Sequence, residues 1–307
     1  MPDEDRYTEE HRPEERADAV ADGSSGGEAR MAGGPPLVLG DLSPADLAEA
    51  ADANLIAHAA WVHRRLPGMQ VLEDPELVVI NSNLVSDTLN LVCRARLAPD
   101  RATGRARATL ERFTAAGIPF SWWIGPADRP EDLGDRLLGL GMVNTEGELA
   151  MAADLNALRA DPPPDDLRIT RVRTEDELRH FGRLLVGALD PPDVELVRFY
   201  ELASPLLLED DCPQWLYVGY LGDEAVATGQ LTVGGGVVGL YNVFTSPAHR
   251  RRGIGTALTV RPLIDARGRG HRTAVLQATP DGAGIYERLG FRAFGRIMEY
   301  KPAPAEP

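Results

Sequence analysis

Two cysteines in 307 residues, Cys93 and Cys212, are too few for a disulfide framework or a four-ligand zinc site. They fall in different halves of the chain and read as buried free thiols. The six histidines show no metal-ligand spacing, so no metal is expected. No apolar run reaches the length of a membrane span, and the polar N-terminus has none of the apolar core of a signal peptide. A cytoplasmic location with no membrane partner is the expectation. Basic residues are outnumbered: 32 Lys and Arg against 47 Asp and Glu leave a formal charge of −15, which argues against nucleic acid as a partner. Large apolar side chains are almost missing from residues 1–35, so that stretch cannot offset its ordering entropy and reads as a disordered acidic tail.

What remains divides in two. Residues 36–158 and 167–302 each carry the alternation of strand and helix patterns of an α/β module. Between them, residues 159–166 hold Pro162-Pro163-Pro164, a stiff linker, and residues 303–307 form a short tail. The first half opens with a helix capped by Ser43-Pro44, with Leu47, Ala51, Leu55, Ala59, Val62 and Leu66 along one face. Short strands are expected at Met69–Leu72, Leu77–Asn81 and Thr88–Arg94. A helix at Arg101–Ala116, an aromatic strand at Ile118–Gly125, a helix at Pro130–Leu140 and a strand at Met142–Asp154 follow. The second half predicts a strand at Leu167–Arg173 and a helix starting at the Thr174/Glu177 capping box. A further helix spans Val194–Leu202, then strands at Trp215–Leu221, Ala225–Val233 and Val237–Thr245. A helix from Gly253 to about Ala266, a strand at Thr273–Ala278, a short helix near Gly282–Leu289 and a last strand at Phe291–Tyr300 complete it.

The halves end alike: helix, strand, helix, a Leu-Gly-apolar step (Leu140-Gly141-Met142 or Leu289-Gly290-Phe291) and a final strand. That order and those lengths suggest duplication of one module. The Trp122-Trp123 pair reads as core or inter-domain packing. The halves differ in the turn before the long helix. In the second, Val243-Phe244-Thr245 closes a strand, Pro247 stops it, and Arg250-Arg251-Arg252-Gly253-Ile254-Gly255-Thr256-Ala257 leads into the helix. Glycines at a helix start let an anion approach backbone N–H groups where the helix dipole favours negative charge, and arginines add charge-assisted donors. On an acidic chain this is a positive island of ligand size. The first half has Ala98–Arg105 there, without paired glycines, and Leu137 where the second has Tyr286.

Arg250-x-x-Gly253-x-Gly255, followed by the strand at Thr273–Ala278 and by Tyr286-Glu287-Arg288-Leu289-Gly290-Phe291, resembles the GNAT superfamily of acyl-CoA-dependent N-acyltransferases. The resemblance covers 167–302 and, more faintly, 37–156 as a degenerate copy. It implies two modules, each a mixed, largely antiparallel sheet flanked by helices. It also implies acetyl-CoA as co-substrate and an acetyl group moved to a primary amine of a small molecule or protein, by a monomer or homodimer. By the same resemblance, the main chain of Val243 and Thr245, around Phe244, would hold the pantetheine arm. The N–H groups from Arg251 to Thr256, within the turn Arg250–Ala257, would surround the pyrophosphate. Val243 N–H would serve the oxyanion, and Tyr286 would protonate the departing thiolate. Many relatives carry a glutamate base on the central strand. Here that strand reads Gly239-Leu240-Tyr241-Asn242-Val243, with no carboxylate. Tyr241 or Asn242 could steer a water, or the amine could arrive neutral, and Glu195 or Glu201 could attract a cationic amine. A non-catalytic acyl-CoA-binding or sensing protein is the alternative.

Overall fold

The computed structural model describes residues 35–189 and 191–303. The two expected tails therefore lie outside the described residues, but for Pro35 and Ala303. Helix α1 (Pro44–His63) begins as the sequence dictates: Ser43 accepts from Asp46 N, Asp46 accepts from Ser43 N, and Pro44 takes the first helical position. There follow β1 (Gln70–Glu73), β2 (Val78–Asn81), β3 (Leu91–Cys93), α2 (Ala102–Ala116), β4 (Ser121–Ile124), α3 (Leu133–Gly139) and β5 (Met142–Asp154). The second half comprises β6 (Leu167–Arg171), α4 (Glu175–Val186), α5 (Glu195–Leu207), β7 (Gln214–Leu221), β8 (Glu224–Gly234) and β9 (Val237–Thr245). It ends with α6 (Ile254–Gly268), β10 (Thr273–Ala278), α7 (Pro280–Leu289) and β11 (Arg292–Pro302).

The strands form one mixed, largely antiparallel sheet in the order β1-β2-β3-β4-β11-β5-β10-β9-β8-β7-β6. The halves trade their last strands. β5, from the first half, lies antiparallel to β10, with Thr273 opposite Asp154 and Ala278 opposite Leu149. β11, from the second half, lies antiparallel to β4, with Tyr300 opposite Trp122. β5 and β11 pair with each other at the centre. The two sheets expected from the sequence are thus continuous. Ala150, Met151, Ala152 and Ala153 are all buried, as a strand covered on both faces requires.

Helices cover both faces. Met151, Ala153, Leu231, Leu240, Leu258, Leu276 and Phe291 share the core beneath α6 and α7. Leu178, Phe181, Phe199, Leu216 and Val218 share the one beneath α4 and α5. Helix α1 crosses the junction and touches both β2 and the β8–β9 hairpin. Its buried side therefore follows the stripe the spacing predicts only in part: Leu47 and Val62 are buried, but Ala51, Leu55 and Ala59 only partly so, whereas Asp52, Asn54 and His63 are buried. The crossing is close because the hairpin lacks side chains there. A Cβ at Gly239 would stand 1.9 Å from Asn54 Oδ1, and one at Gly235 would stand 2.6 Å from Ala50 O. Trp122 and Trp123 pack in the first half's two cores, as expected, and both cysteines are free and buried.

Three elements depart from their expected bounds for visible reasons. β3 is shorter than Thr88–Arg94 because Asn90 is taken up by a turn, accepting from Ser82 and donating to Leu84, Ser86 and Pro119. α3 starts after Pro130 because Arg129 is bonded to the chain beyond β3. α5 continues through Pro205 to Leu207, its buried Ala203 and Leu207 holding the last turn against the sheet.

Candidate functional site

β9 and β10 run parallel and pair from Ala274/Val238 to Leu276/Leu240, and there the pairing stops. β9 continues to Thr245 against β8 alone. A gap therefore opens between residues 241–245 and the end of β10. The lip of this gap is irregular. Tyr241 opposes Gln230 and Phe244 opposes Thr228, so Asn242 and Val243 face the single Gly229: a β-bulge, with Asn242 at φ 53°. A left-handed non-glycine residue is costly and persists only where neighbours hold it. Here Thr228 Oγ1 donates to Asn242 O at 2.8 Å, and Asn242 Nδ2 donates to Gln230 Oε1 at 2.8 Å. Gly229 lets helix α6 come close, since a Cβ there would meet Leu258 O at 2.8 Å.

Beyond Thr245, the chain passes Pro247 and turns through Arg251 (φ 64°) and Gly253 (φ 79°) into α6. No side chain caps α6, so the N–H groups of Ile254, Gly255 and Thr256 are left for a ligand or water. A Cβ at Gly255 would lie 3.3 Å from Thr245 Oγ1, which places the first turn of α6 against the end of β9. The arginines differ. Arg250 is held at the strand end, its Nε donating to Thr245 O at 3.2 Å and its guanidinium 6.0 Å from the Phe244 ring. Arg251 is exposed and makes no hydrogen bond or ion pair among the described residues. Arg252 pairs with Asp166 at 2.9 Å, tying the turn to the end of the linker.

Tyr286, on α7, packs against the core beneath α6 and α7, as Val243 does from β9. Its ring stands edge-on to Phe291, 5.9 Å between centroids. Burial, with the Glu148 carboxylate adding to it, pushes the phenol up to about 12, so it stays protonated throughout the neutral range. On the opposite face a polar network joins α1 to the lip. His58 stacks on Tyr241 at 3.7 Å, and its Nδ1 lies 3.1 Å from Thr232 Oγ1. Tyr241 Oη donates to Asn54 Oδ1 at 2.8 Å, and Gln230 Nε2 donates to Gln214 Oε1 at 3.2 Å.

The equivalent gap in the first half is shut. β3 and β4 pair in parallel from Leu91/Ser121 to Val92/Trp122, and two residues later Arg94 adopts φ 53°, matching Asn242. Then, however, Arg129 N donates to Ala95 O and Leu97 N donates to Arg129 O, zipping the strands together. Arg96 fills the space and bonds Asp128 at 2.7 Å, Asp52 at 2.8 Å and Glu49 at 2.9 Å. α2 begins three positions after Pro99, whereas α6 begins seven after Pro247, so the first half has no room for the turn.

The structure brings Val243, Phe244, Thr245 and the turn 250–257 beside one gap, and Tyr286 packs with Val243 against the core below it. It sets Glu195 and Glu201 elsewhere. Glu195 lies 3.6 Å from Arg198, and Glu201 lines a groove of about 210 Å³ between α4 and α5. Glu148, which burial and then the carboxylates of Glu146 and Glu299 push up to about 7, is not singled out by the sequence. Glu148 sits on β5, and nothing local in the sequence says that β5 leaves its own half. Among the described residues, no cluster of His, Cys, Asp and Glu could hold a metal, and no helix is long and apolar enough to cross a membrane.

Comparison with known proteins agrees with this geometry. Residues 213–293, from β7 into β11, match the acetyltransferase (GNAT) domain family. No curated protein matches the sequence. Among solved structures, a GCN5-related N-acetyltransferase from Kribbella flavida superposes with a TM-score of 0.62 at 21% identity, over 82% of this chain and 96% of that one. A tandem GNAT protein from the clavulanic acid biosynthesis pathway gives 0.54 at 11% identity, over 89% and 99%. A GCN5-related N-acetyltransferase from Sphaerobacter thermophilus gives 0.53 at 18% identity, over 86% and 95%. The fold is that of the GCN5-related N-acetyltransferases, in a form where the match extends over both halves, and the resemblance read from the sequence is found.

Proposed function

We propose that this protein transfers the acetyl group of acetyl-CoA to a primary amine of a small molecule or protein, using the gap between β9 and β10. The observation that carries the reading is the conjunction of that gap with an uncapped helix N-terminus and with a buried phenol that packs against the same core as Val243. The pyrophosphate would be met by the N–H groups of residues 251–256, at an uncapped helix start with left-handed Arg251 and Gly253 beside it. Arg250 and Arg251 add positive charge there. Arg252, held by Asp166, acts on the turn's shape instead. The pantetheine amides pair with the main chain of Val243 and Thr245, much as a further strand would.

The reaction then proceeds by attack of the amine nitrogen on the thioester carbonyl. Negative charge grows on the carbonyl oxygen and is met by the N–H of Val243, at the bulge where two residues of β9 face one of β8. The carbon–sulfur bond breaks, and the leaving thiolate takes the proton of Tyr286. Burial raises the phenol and disfavours a bare thiolate by the same desolvation, so donor and acceptor stay matched. Residues 36–158 act as scaffold in this reading, and 167–302 as the half that binds the donor. A cytoplasmic monomer or homodimer suits it.

The test is acetyl-CoA affinity by calorimetry together with transfer to a panel of polyamines, aminoglycosides, amino acids and N-terminal peptides. Tyr286→Phe is expected to keep the affinity and lose turnover by roughly a hundredfold. Tight acetyl-CoA binding with no transfer to any amine would instead indicate a sensor. No binding at all would refute both.

A further inference from the structure

We propose that Glu148, carried into the second half by the exchanged strand β5, is the general base that takes the proton from the incoming amine. The inference rests on the acetyltransferase reading above and supplies the one role that reading leaves empty. β9 offers no carboxylate, and Tyr241 and Asn242 are both occupied, bonded to Asn54 and Gln230.

Register and strand alternation place Glu148. Leu149 stands opposite Ala278, the last residue of β10, so Glu148 lies one step further, level with Thr279, where β10 ends beside the gap. Leu149 and Met151 face the core beneath α6 and α7, which also holds Tyr286, whereas Ala152 faces the α1 side. Alternation therefore sends Glu148 to the α1 side, opposite the phenol. An amine entering on that side and a thiolate leaving toward Tyr286 would approach the carbonyl carbon from opposite directions. Glu148 is half-buried, yet it makes no hydrogen bond and no ion pair among the described residues. The neighbouring Glu299 contrasts with it: Ser121 Oγ donates to it at 2.7 Å, Thr145 Oγ1 donates at 2.6 Å, and Lys301 stands at 3.5 Å. A carboxylate left unpartnered beside a reactive gap is free to bond a substrate.

The charged surroundings tune it for the task. Glu146 on its own strand and Glu299 across the ladder on β11 face Glu148, with the phenol of Tyr286 beyond. Burial, then these two carboxylates, raise Glu148 to about 7, a range in which a base both accepts and returns a proton readily at neutral pH. The same negative surroundings favour an acceptor that arrives as an ammonium, so the substrate class is a cationic primary amine. In the balanced step, Glu148 removes one proton from the ammonium and releases it to solvent, the neutral nitrogen attacks, and the nitrogen's second proton passes to the regenerated Glu148 carboxylate as the amide forms. Tyr286 gives its proton to sulfur and regains one from solvent.

The experiment measures acetyl-CoA affinity and the pH–rate profile of transfer for wild type, Glu148→Gln and Glu148→Asp, with Tyr286→Phe alongside. Expected for Glu148→Gln are unchanged acetyl-CoA affinity, a loss of about a hundredfold in kcat at pH 7.5, and disappearance of the acidic limb near pH 7. Its rate should recover above about pH 9, where free amine becomes abundant, and Glu148→Asp should retain an intermediate rate. A merely structural role would not restore rate with pH. Glu148→Gln turning over within threefold of wild type with its acidic limb intact would overturn the assignment while leaving the acetyltransferase reading in place. Acetyl-CoA binding by wild type without transfer to any amine would overturn that reading, and Glu148 as base with it.

Discussion

Asn54→Ala probes whether the first half is a working support for the site. Asn54 is wholly buried on α1 and reaches across to the second half. Its Nδ2 donates to the carbonyls of Thr232 and Gly234 at 3.0 Å each and of Val237 at 3.3 Å, while Oδ1 accepts from Tyr241 Oη at 2.8 Å. Each such bond contributes about 0.5–1.5 kcal/mol net, and a buried hydroxyl left without its acceptor costs about 1–3 kcal/mol more. Some carbonyls keep ladder partners, which trims the sum, so the expected loss is about 3–5 kcal/mol. For a chain of this size that corresponds to a fall of roughly 6–20 °C in Tm. Urea unfolding followed by both far-UV ellipticity and tryptophan fluorescence reads the loss. It also reads cooperativity: coincident transitions are expected, because the continuous sheet leaves no place for one half to unfold alone. Tyr241 stacks on His58 and precedes the bulge, so acetyl-CoA affinity should weaken by several-fold as well. A loss below about 1 kcal/mol would refute the reasoning, showing that α1 rests on the hairpin without fixing it.

Two further perturbations address the donor site and the junction. Gly255→Asp adds bulk toward Thr245 Oγ1, 3.3 Å from the new Cβ, and a negative charge where the pyrophosphate would sit. An acidic residue in the first turn favours the helix dipole, so Tm should hardly move while acetyl-CoA affinity drops at least tenfold by calorimetry; unchanged affinity would mean the phosphates bind elsewhere. His58 is held neutral by burial, first, and by the charge of His63, which bring it down to about 3 from the usual 6.5. A group depressed in the folded state stabilises the fold fully above its unfolded pKa and loses that contribution as pH falls through the window below 6.5. Between pH 6.5 and 4.5 the loss amounts to about 2–3 kcal/mol, so the stability advantage of wild type over His58→Gln should shrink by that much in urea titrations at the two pH values. A constant difference would show that His58 keeps a solvated path.

The legible parts of the fold were those written in short range. β5, β9 and β10 match the expected bounds because their apolar runs end at a glycine, a proline or a polar step, and α1 and α4 start at capping boxes that need only four residues to form. The turn 250–257 was legible for the same reason: its shape depends on glycine conformation and a helix start, which are local. What escaped the sequence was set by partners far along the chain. The buried side of α1 depends on a hairpin about 180 residues away, whose glycines at 234, 235 and 239 make sense only beneath a helix. Likewise, the strand pattern of Met142–Asp154 states that a strand exists but not which strand it joins.

The exchange of β5 and β11 ties the half without the glycine turn to the half that has it. In the first half the strands beyond Val92 are zipped and Arg96 occupies the space, so nothing there selects for an open cleft. β10, in contrast, is flanked on one side by the gap and on the other by β5, and without β5 its free edge would leave it paired to β9 only from Ala274 to Leu276. A splayed pair of strands is weak by construction, because beyond Leu276 and Leu240 the two strands make no ladder hydrogen bonds with each other. The remedy is to anchor the outer strand on its far side. β5 does so along the whole length of β10, and is itself held by β11 through the centre of the sheet. The first half thus supplies the rigidity that the splayed pair lacks, and the strand that supplies it also carries Glu148 to the end of the gap.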